Sequence, residues 1–335
     1  MLKNKNLSFD FKSSVKGTLA AVTSVAVLAC SLVGCTNDMV DTDSPAEDDG
    51  KVSVVTTIFP QYDFSRQIAG DCADVTMLLG PGEETHTYEP TPQDIIKIQE
   101  ADVFVYVGGE SEEWVDGVLK SMDTSNMEII SLMDVVDVVE EELIEGMEGY
   151  EESEDHAHEE EYDEHVWTSL DNAQIISQSI ADALCEVDEE NTATYRGNCE
   201  SYLSELSSLK KEFTKVVNNG KRKTIVFGDR FPLRYFADEF ELEYYAAFAG
   251  CAEQSEPSAG TVAYLIQKVE DESIPVVFYL ELSNGKIAET ISESTGAETL
   301  CFNACHNVTM EDFLNGVTYI DLMKSNLEVL EKALN

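Results

Sequence analysis

Histidine and basic residues are scarce in this chain. Its 335 residues include only 5 histidines, and 21 lysines and arginines face 66 acidic residues, for a formal net charge of -45. A charge of this sign repels anions, so nucleic acid is disfavoured as a partner and cations are favoured. Acidity that keeps an exported protein soluble is an equally good explanation of the charge. The length exceeds one compact core, so we expect two domains.

The cysteines lack the spacing of a zinc site. No CxxC pair exists, which argues against a four-thiolate centre. Six cysteines follow Cys35, and an even number in an exported protein suggests disulfides. We expect Cys251 and Cys305 to pair, because both follow strand-like runs in the same half of the chain. Free buried thiols are the alternative.

The first 34 residues are typical of a bacterial lipoprotein leader. Four lysines precede an uncharged stretch, Gly17 to Gly34, which is rich in Ala, Val and Leu and ends in Leu-Val-Gly before Cys35. We therefore predict that residues 1–34 are removed and that Cys35 carries a lipid. An uncleaved membrane helix is the alternative. The acidic and polar composition of residues 35–50 predicts a disordered tether.

Strand-like runs alternate with helical patterns from Lys51 onwards. The runs are KVSVVTTIF, DVTMLL, DVFVYVG and MEIISL, then KTIVFG, EYYAAFAG, PVVFYLE and AETLCF. Such alternation indicates parallel sheets with crossover helices. The sequence therefore predicts an α/β protein of two Rossmann-like lobes, residues 51–188 and 221–335. Each lobe has a four-stranded, mostly parallel sheet with flanking helices, and a long rigid helix within residues 189–220 joins them.

An acidic insert, residues 140–164, interrupts this alternation. It contains 14 acidic residues and two histidines. Because it has few apolar residues, we predict a mobile loop. His156 and His158 within it are candidates for weak capture of cations, which would raise their concentration near a main site. Low-complexity drift explains these two histidines equally well.

Five candidate metal ligands follow predicted strands. Ligands bind beyond the carboxyl ends of the strands in open α/β sheets, where these side chains are expected. They are His86, His165, Asp229, Glu281 and His306. Imidazoles with a carboxylate suit Zn²⁺. Each has an ordinary alternative: a lone histidine is more often surface or core, Glu281 could cap a helix, and Asp229 could pair with Arg230.

Five motifs resemble the zinc- and manganese-binding solute-binding proteins of bacterial ABC transporters. The motifs are VVTTIFPQYDFSRQIAG, HTYEPTPQD, ADVFVYVGG, DEHVWTSLDNA and EPSAGTVAYLIQKV, and the resemblance covers about residues 51–333. It implies two α/β lobes joined by a long rigid helix, with the metal between them. The family's first two metal ligands match His86 and His165. Its zinc members often carry a loop rich in histidine and acids before the second ligand, as this chain does.

The resemblance breaks down at the remaining ligands. Alignment on Tyr235 and Leu242 puts Arg230 at the family's third ligand position, and arginine cannot ligate a cation. Asp229 is the neighbouring substitute, and Glu281 is the other candidate carboxylate. His306 takes the fourth position, where an acid is usual. The expected set is therefore His86, His165 and His306, completed by a carboxylate or water.

The resemblance implies a monomeric, non-enzymatic receptor for Zn²⁺ that works with an ABC permease and its cytoplasmic ATPase. A lipid anchor would hold it on the outer face of the cell membrane, as in Gram-positive surface lipoproteins. A manganese or iron receptor is the nearest alternative. A secreted zinc hydrolase is disfavoured by the absence of an HExxH pair. A cell-adhesion protein with a structural metal is the third possibility.

Overall fold

The computed structural model describes residues 50–83, 88–150, 161–252 and 256–335. The leader, Cys35, the tether up to residue 49, His86, His156 and His158 lie outside the described residues. Within the described ranges no helix combines the length and the apolar character needed to cross a membrane.

The first lobe is built on one parallel sheet with the strand order β2-β1-β3-β4. Its strands are β1 (Val52–Thr56), β2 (Ala73–Met77), β3 (Val103–Tyr106) and β4 (Glu128–Ser131). Its helices are α1 (Phe59–Ala69), α2 (Pro92–Gln99), α3 (Glu113–Leu119), α4 (Leu132–Val135) and α5 (Leu170–Val187), and the long α6 (Thr192–Asn219) follows. Thr91 caps α2 in a capping box with Asp94, and Pro92 is the first helical residue.

The second lobe repeats this architecture with the strand order β6-β5-β7-β8, again all parallel. Its strands are β5 (Thr224–Phe231), β6 (Glu243–Ala249), β7 (Val276–Leu280) and β8 (Glu298–Phe302). Its helices are α7 (Arg234–Phe240), α8 (Ala259–Asp271), α9 (Lys286–Thr295), α10 (Met310–Leu314) and α11 (Tyr319–Leu334). The predicted fold of two four-stranded α/β lobes is confirmed.

Helix α6 packs against both lobes. It has 28 residues, which corresponds to about 42 Å of helix. Near its start Tyr202 packs on Phe64 of α1, with 6.0 Å between ring centroids. Near its end Phe213 packs edge-on against Phe236 of α7, at 5.2 Å. Buried side chains of both lobes form one continuous cluster with α6, so the lobes share a hydrophobic core along this helix.

The sequence pattern predicts a single helix over residues 309–334, and this prediction is wrong in its extent. The structure has two helices there, α10 and α11, because Gly316 between them adopts a φ of +71°. That left-handed conformation ends a helix and favours glycine. Thr318 and Asp321 then form a capping box that begins α11. Helix α11 is therefore a separate helix with its own N-terminal cap.

The prediction of a mobile loop over all of residues 140–164 is wrong for its described flanks. The Glu141 N–H donates to the Glu161 carbonyl at 2.8 Å, and Glu140 pairs with Tyr162 in an antiparallel bridge. Glu148, later in the first flank, also contacts the second lobe: its N–H donates to the Ala247 carbonyl at 2.9 Å. Acidic residues need not remain in solvent when their backbone is paired. Residues 151–160 lie outside the described part.

The expected disulfide between Cys251 and Cys305 is also wrong, because all six described cysteines are free thiols. Cys251 follows β6 and Cys305 follows β8, and these strands are the two opposite edges of the sheet. Three strand spacings separate them, roughly 14 Å. A disulfide needs Cα atoms within about 7 Å. The position of both cysteines in the same lobe was therefore not enough to predict that they form a disulfide.

Candidate metal centre

His165 and His306 meet between the lobes. Their ring centroids are 4.6 Å apart and the rings are nearly perpendicular. Trp167 packs edge-on against both rings, at 5.5 Å from His165 and 5.2 Å from His306. His165 is 1% exposed, and the side chain of His306 is 16% exposed. Two imidazoles that are distant in sequence are thus adjacent in a largely dry site.

Asp163 fixes the orientation of His165. Its Oδ1 accepts the His165 backbone N–H and lies 2.8 Å from the ring Nδ1. When Nδ1 donates to this carboxylate, Nε2 carries the lone pair that a metal requires. Burial lowers the pKa of His165, but the charge and hydrogen bond of Asp163, together with nearby acids, raise it to a net value above the ordinary one. The same carboxylate orients the ring and makes it more basic.

Glu281 holds the loop that carries His306. Its Oε2 accepts the Ala304 N–H at 2.7 Å, and its Oε1 accepts the His306 N–H at 3.1 Å. The same Oε1 lies 4.0 Å from His306 Nδ1. Burial raises the pKa of Glu281 to about 7. These contacts give the carboxylate a defined part in shaping the loop, and its role as a ligand stays a prediction.

Asp229 lies in the wall of the same cleft, but its carboxylate already accepts hydrogen bonds from the backbone. Its Oδ1 accepts the Arg230 N–H at 2.9 Å, and its Oδ2 accepts the Leu280 N–H at 3.2 Å. Together with Arg230, Glu281 and His306 it lines a cavity of about 340 Å³. The structure therefore brings Asp229, Glu281 and His306 to the same edge of the second sheet, although Asp229 lies within β5 and not after it as predicted.

His86 lies outside the described residues, but the chain just before it reaches the second lobe. Asn307 Nδ2 donates to the Gly80 carbonyl at 2.8 Å and to the Glu83 carbonyl at 3.0 Å. Asn307 directly follows His306 and is 2% exposed. Among the described residues no group of three or more His, Cys, Asp or Glu side chains could hold an ion. The predicted three-histidine set thus depends on His86.

Sequence reasoning missed two buried carboxylates beside the histidines, Glu112 and Glu164. Both line a small cavity of about 30 Å³ with His165 and His306. Glu164 Oε1 accepts the Ser111 N–H at 2.8 Å, and Glu112 Oε2 accepts the Val107 N–H at 2.7 Å. The position of Glu164 directly before His165 could have indicated that it lies in the site. We missed this because Glu164 was counted as part of the acidic insert.

Ionisation of Glu112 should make the stability of the metal-free protein depend on pH. Burial raises the pKa of this carboxyl from 4.5 to about 7. The folded protein favours the protonated form of Glu112. The stability that this form contributes is therefore complete below pH 4.5 and is lost as pH rises through about 7. Between pH 5 and 8 the wild type should lose on the order of 2 kcal/mol more unfolding free energy than Glu112→Gln, whose amide cannot ionise. Urea unfolding at both pH values measures this, and equal losses in the two proteins would contradict it.

The fold and the site together define a class: a two-lobed α/β metal-binding protein with its site between the lobes. The family model described as "Zinc-uptake complex component A periplasmic", ZnuA, matches residues 54–333. The chain belongs to this family.

The similar proteins carry zinc in their names. The zinc-binding lipoprotein AdcA of Streptococcus pneumoniae (strain ATCC BAA-255 / R6) is 32% identical over 310 residues, which are 92% of this chain and 59% of AdcA. The chain therefore spans about three-fifths of that relative. The high-affinity zinc uptake system protein ZnuA of Bacillus subtilis (strain 168) is 32% identical over 312 residues, 92% of this chain and 96% of that protein.

Solved structures agree with the fold. The metal-dependent lipoprotein YcdH from Bacillus subtilis has a TM-score of 0.71 and 31% identity, and the match covers 85% of this chain and 99% of YcdH. The Zn(II)-bound ZnuA-like domain of Streptococcus pneumoniae AdcA has a TM-score of 0.70 and 31% identity, with the same coverage of 85% and 99%.

Proposed function

We propose that this protein captures Zn²⁺ between its lobes and delivers it to the permease of an ABC importer. The observation that carries the proposal is the adjacency of the His165 and His306 rings, 4.6 Å apart, with Asp163 orienting the first. His86 completes the proposed ligand set, with Asp229, Glu281 or water as the fourth ligand. Relatives named for zinc binding and zinc uptake support the choice of metal.

The donor set favours zinc over manganese or iron. Imidazoles suit Zn²⁺, whereas Mn²⁺ prefers more oxygen ligands. The carboxylates Asp163, Glu112, Glu164 and Glu281 all accept backbone N–H groups. These contacts give each of the four a structural role in holding the loops of the site, which favours a receptor over the hydrolase alternative. Adhesion remains a separate hypothesis without a specific observation in its favour.

The predicted leader sequence determines where we expect the protein to work. A lipid on Cys35 would anchor the protein on the outer face of the membrane beside the permease, whose ATPase lies in the cytoplasm. His156 and His158 would supply the accessory capture of cations. A relative named as a zinc-binding lipoprotein supports the anchor.

Calorimetric competition between zinc and manganese tests the proposal. We expect zinc to bind at least about 100-fold more tightly, in line with the general order of metal affinities at nitrogen-containing sites. Zinc affinity should also fall with falling pH, because a protonated imidazole cannot ligate. Since the pKa of His165 is raised, this loss should begin above pH 6.5. Equal affinity for both metals, or zinc binding unchanged from pH 8 to 5.5, would contradict the proposal.

A further inference from the structure

A short antiparallel ladder precedes His165. It consists of two short segments, residues 139–141 and 161–163, which pair through the isolated bridge between Glu140 and Tyr162. The Asp163 N–H donates to the Val139 carbonyl at 2.9 Å, and the Glu141 N–H donates to the Glu161 carbonyl at 2.8 Å. The ladder therefore sets the position of Asp163, whose side chain in turn orients the His165 ring.

A tyrosine of the second lobe holds the end of this ladder. Tyr235, in α7, donates its hydroxyl to the Asp163 carbonyl at 2.7 Å and accepts the Val139 N–H at 3.1 Å. One buried hydroxyl thus joins both strands of the ladder, at the residue that orients His165. Tyr235 is 5% exposed.

Helix α7 also holds the other end of the segment that contains His165. Glu239 Oε2 accepts the Leu170 N–H at 2.7 Å, where α5 begins. The segment from Asp163 to Leu170 is therefore held at both ends by one helix of the second lobe. That helix is itself anchored, because Phe236 packs against Phe213 of α6.

We propose that Tyr235 is a positioning residue for the metal ligand His165. It acts from the second lobe, through the Asp163 peptide, and fixes the imidazole that the first half of the chain contributes. This inference rests on the proposed function, since it assigns a role in binding the same metal. The orientation of the His165 ring then depends on the position of the second lobe, which carries Tyr235.

Tyr235→Phe tests the inference, because it removes one oxygen and keeps the ring. We expect the zinc dissociation constant to rise about tenfold, at the lower end of the effect of outer-shell partners. We also expect the visible spectrum of the Co²⁺-substituted protein to change, since it reports ligand geometry. Tyr195→Phe is the matched control. It removes a hydroxyl that donates at 2.7 Å to Asp188, which directly follows α5, a helix about 27 Å long that begins five residues after His165.

The inference is supported if Tyr235→Phe weakens zinc binding and alters the cobalt spectrum while Tyr195→Phe does neither, with melting temperatures recorded for both. It is overturned if Tyr235→Phe keeps zinc affinity within about twofold of wild type and leaves the spectrum unchanged. It is equally overturned if both variants weaken zinc binding to the same extent, since that indicates general loosening. A wild-type protein that binds no zinc would contradict the proposed function itself, which separates the two failures.

Discussion

Replacement of His165 by alanine should weaken zinc binding by at least about 100-fold, beyond the usual cost of losing an outer-shell partner. The substitution removes the imidazole that Asp163 orients and that lies 4.6 Å from the His306 ring, centroid to centroid. The remaining ligands would leave a site with one nitrogen fewer and with the Asp163 carboxylate unpaired on its ring side. Isothermal titration with zinc measures the effect, and circular dichroism confirms that the variant is folded.

Histidines of the acidic insert provide the control for this prediction. His156→Ala combined with His158→Ala removes two imidazoles, one more than His165→Ala, and both lie outside the proposed ligand set. We expect its equilibrium affinity to stay within about threefold of wild type, because weak capture by a charged loop acts on the rate of association. If the insert variant lost more affinity than His165→Ala, the main site would lie in the insert.

Loss of Glu281 should destabilise both the loop and the site. Glu281→Ala leaves the part-buried N–H groups of Ala304 and His306 without their acceptors. Each unsatisfied group costs about 1–3 kcal/mol, so we expect the free energy of unfolding to fall by about 2–6 kcal/mol. Zinc affinity should fall roughly tenfold, because His306 loses the contact that fixes its backbone. Urea unfolding and zinc titration measure the two effects.

Glu281→Gln separates a positioning role from direct ligation. Its amide oxygen can still accept one of the two N–H groups, so stability should fall by about half as much as in the alanine variant. If Glu281 only positions the loop, zinc affinity in Glu281→Gln should stay within about threefold of wild type. A loss of 100-fold or more would instead make Glu281 a ligand, and would refute the assignment to positioning.

The fold could be predicted because its signals are local. Each of the eight strands is a short apolar run, and the parallel arrangement follows from their alternation with helices. The beginning of α2 at Thr91 and Pro92 was also readable from adjacent residues. The failures concern contacts between distant residues. Neither the strand order that separates Cys251 from Cys305 nor the pairing of the insert flanks is encoded in a local pattern.

The site could be predicted only in part, for the same reason. His165 and His306 were expected together because each follows the strands of its lobe, and the structure brings them into contact. Glu112 lies in a helical turn and carried no signal at all, since its burial depends on the approach of the His165 segment. Tyr235 served only to align the chain with a family, whereas its hydroxyl reaches across to Asp163. Arg230 at the family's third ligand position predicts that the second lobe uses a different donor, and His306 is the one we propose.

Anomalous diffraction at the zinc edge from crystals of the zinc-loaded protein tests the central claim most directly. The account predicts one strong peak between the lobes, about 2.0–2.1 Å from Nε2 of both His165 and His306. The same map would show whether His86 is the third ligand and which oxygen is the fourth. A peak bound to neither His165 nor His306 would contradict the account.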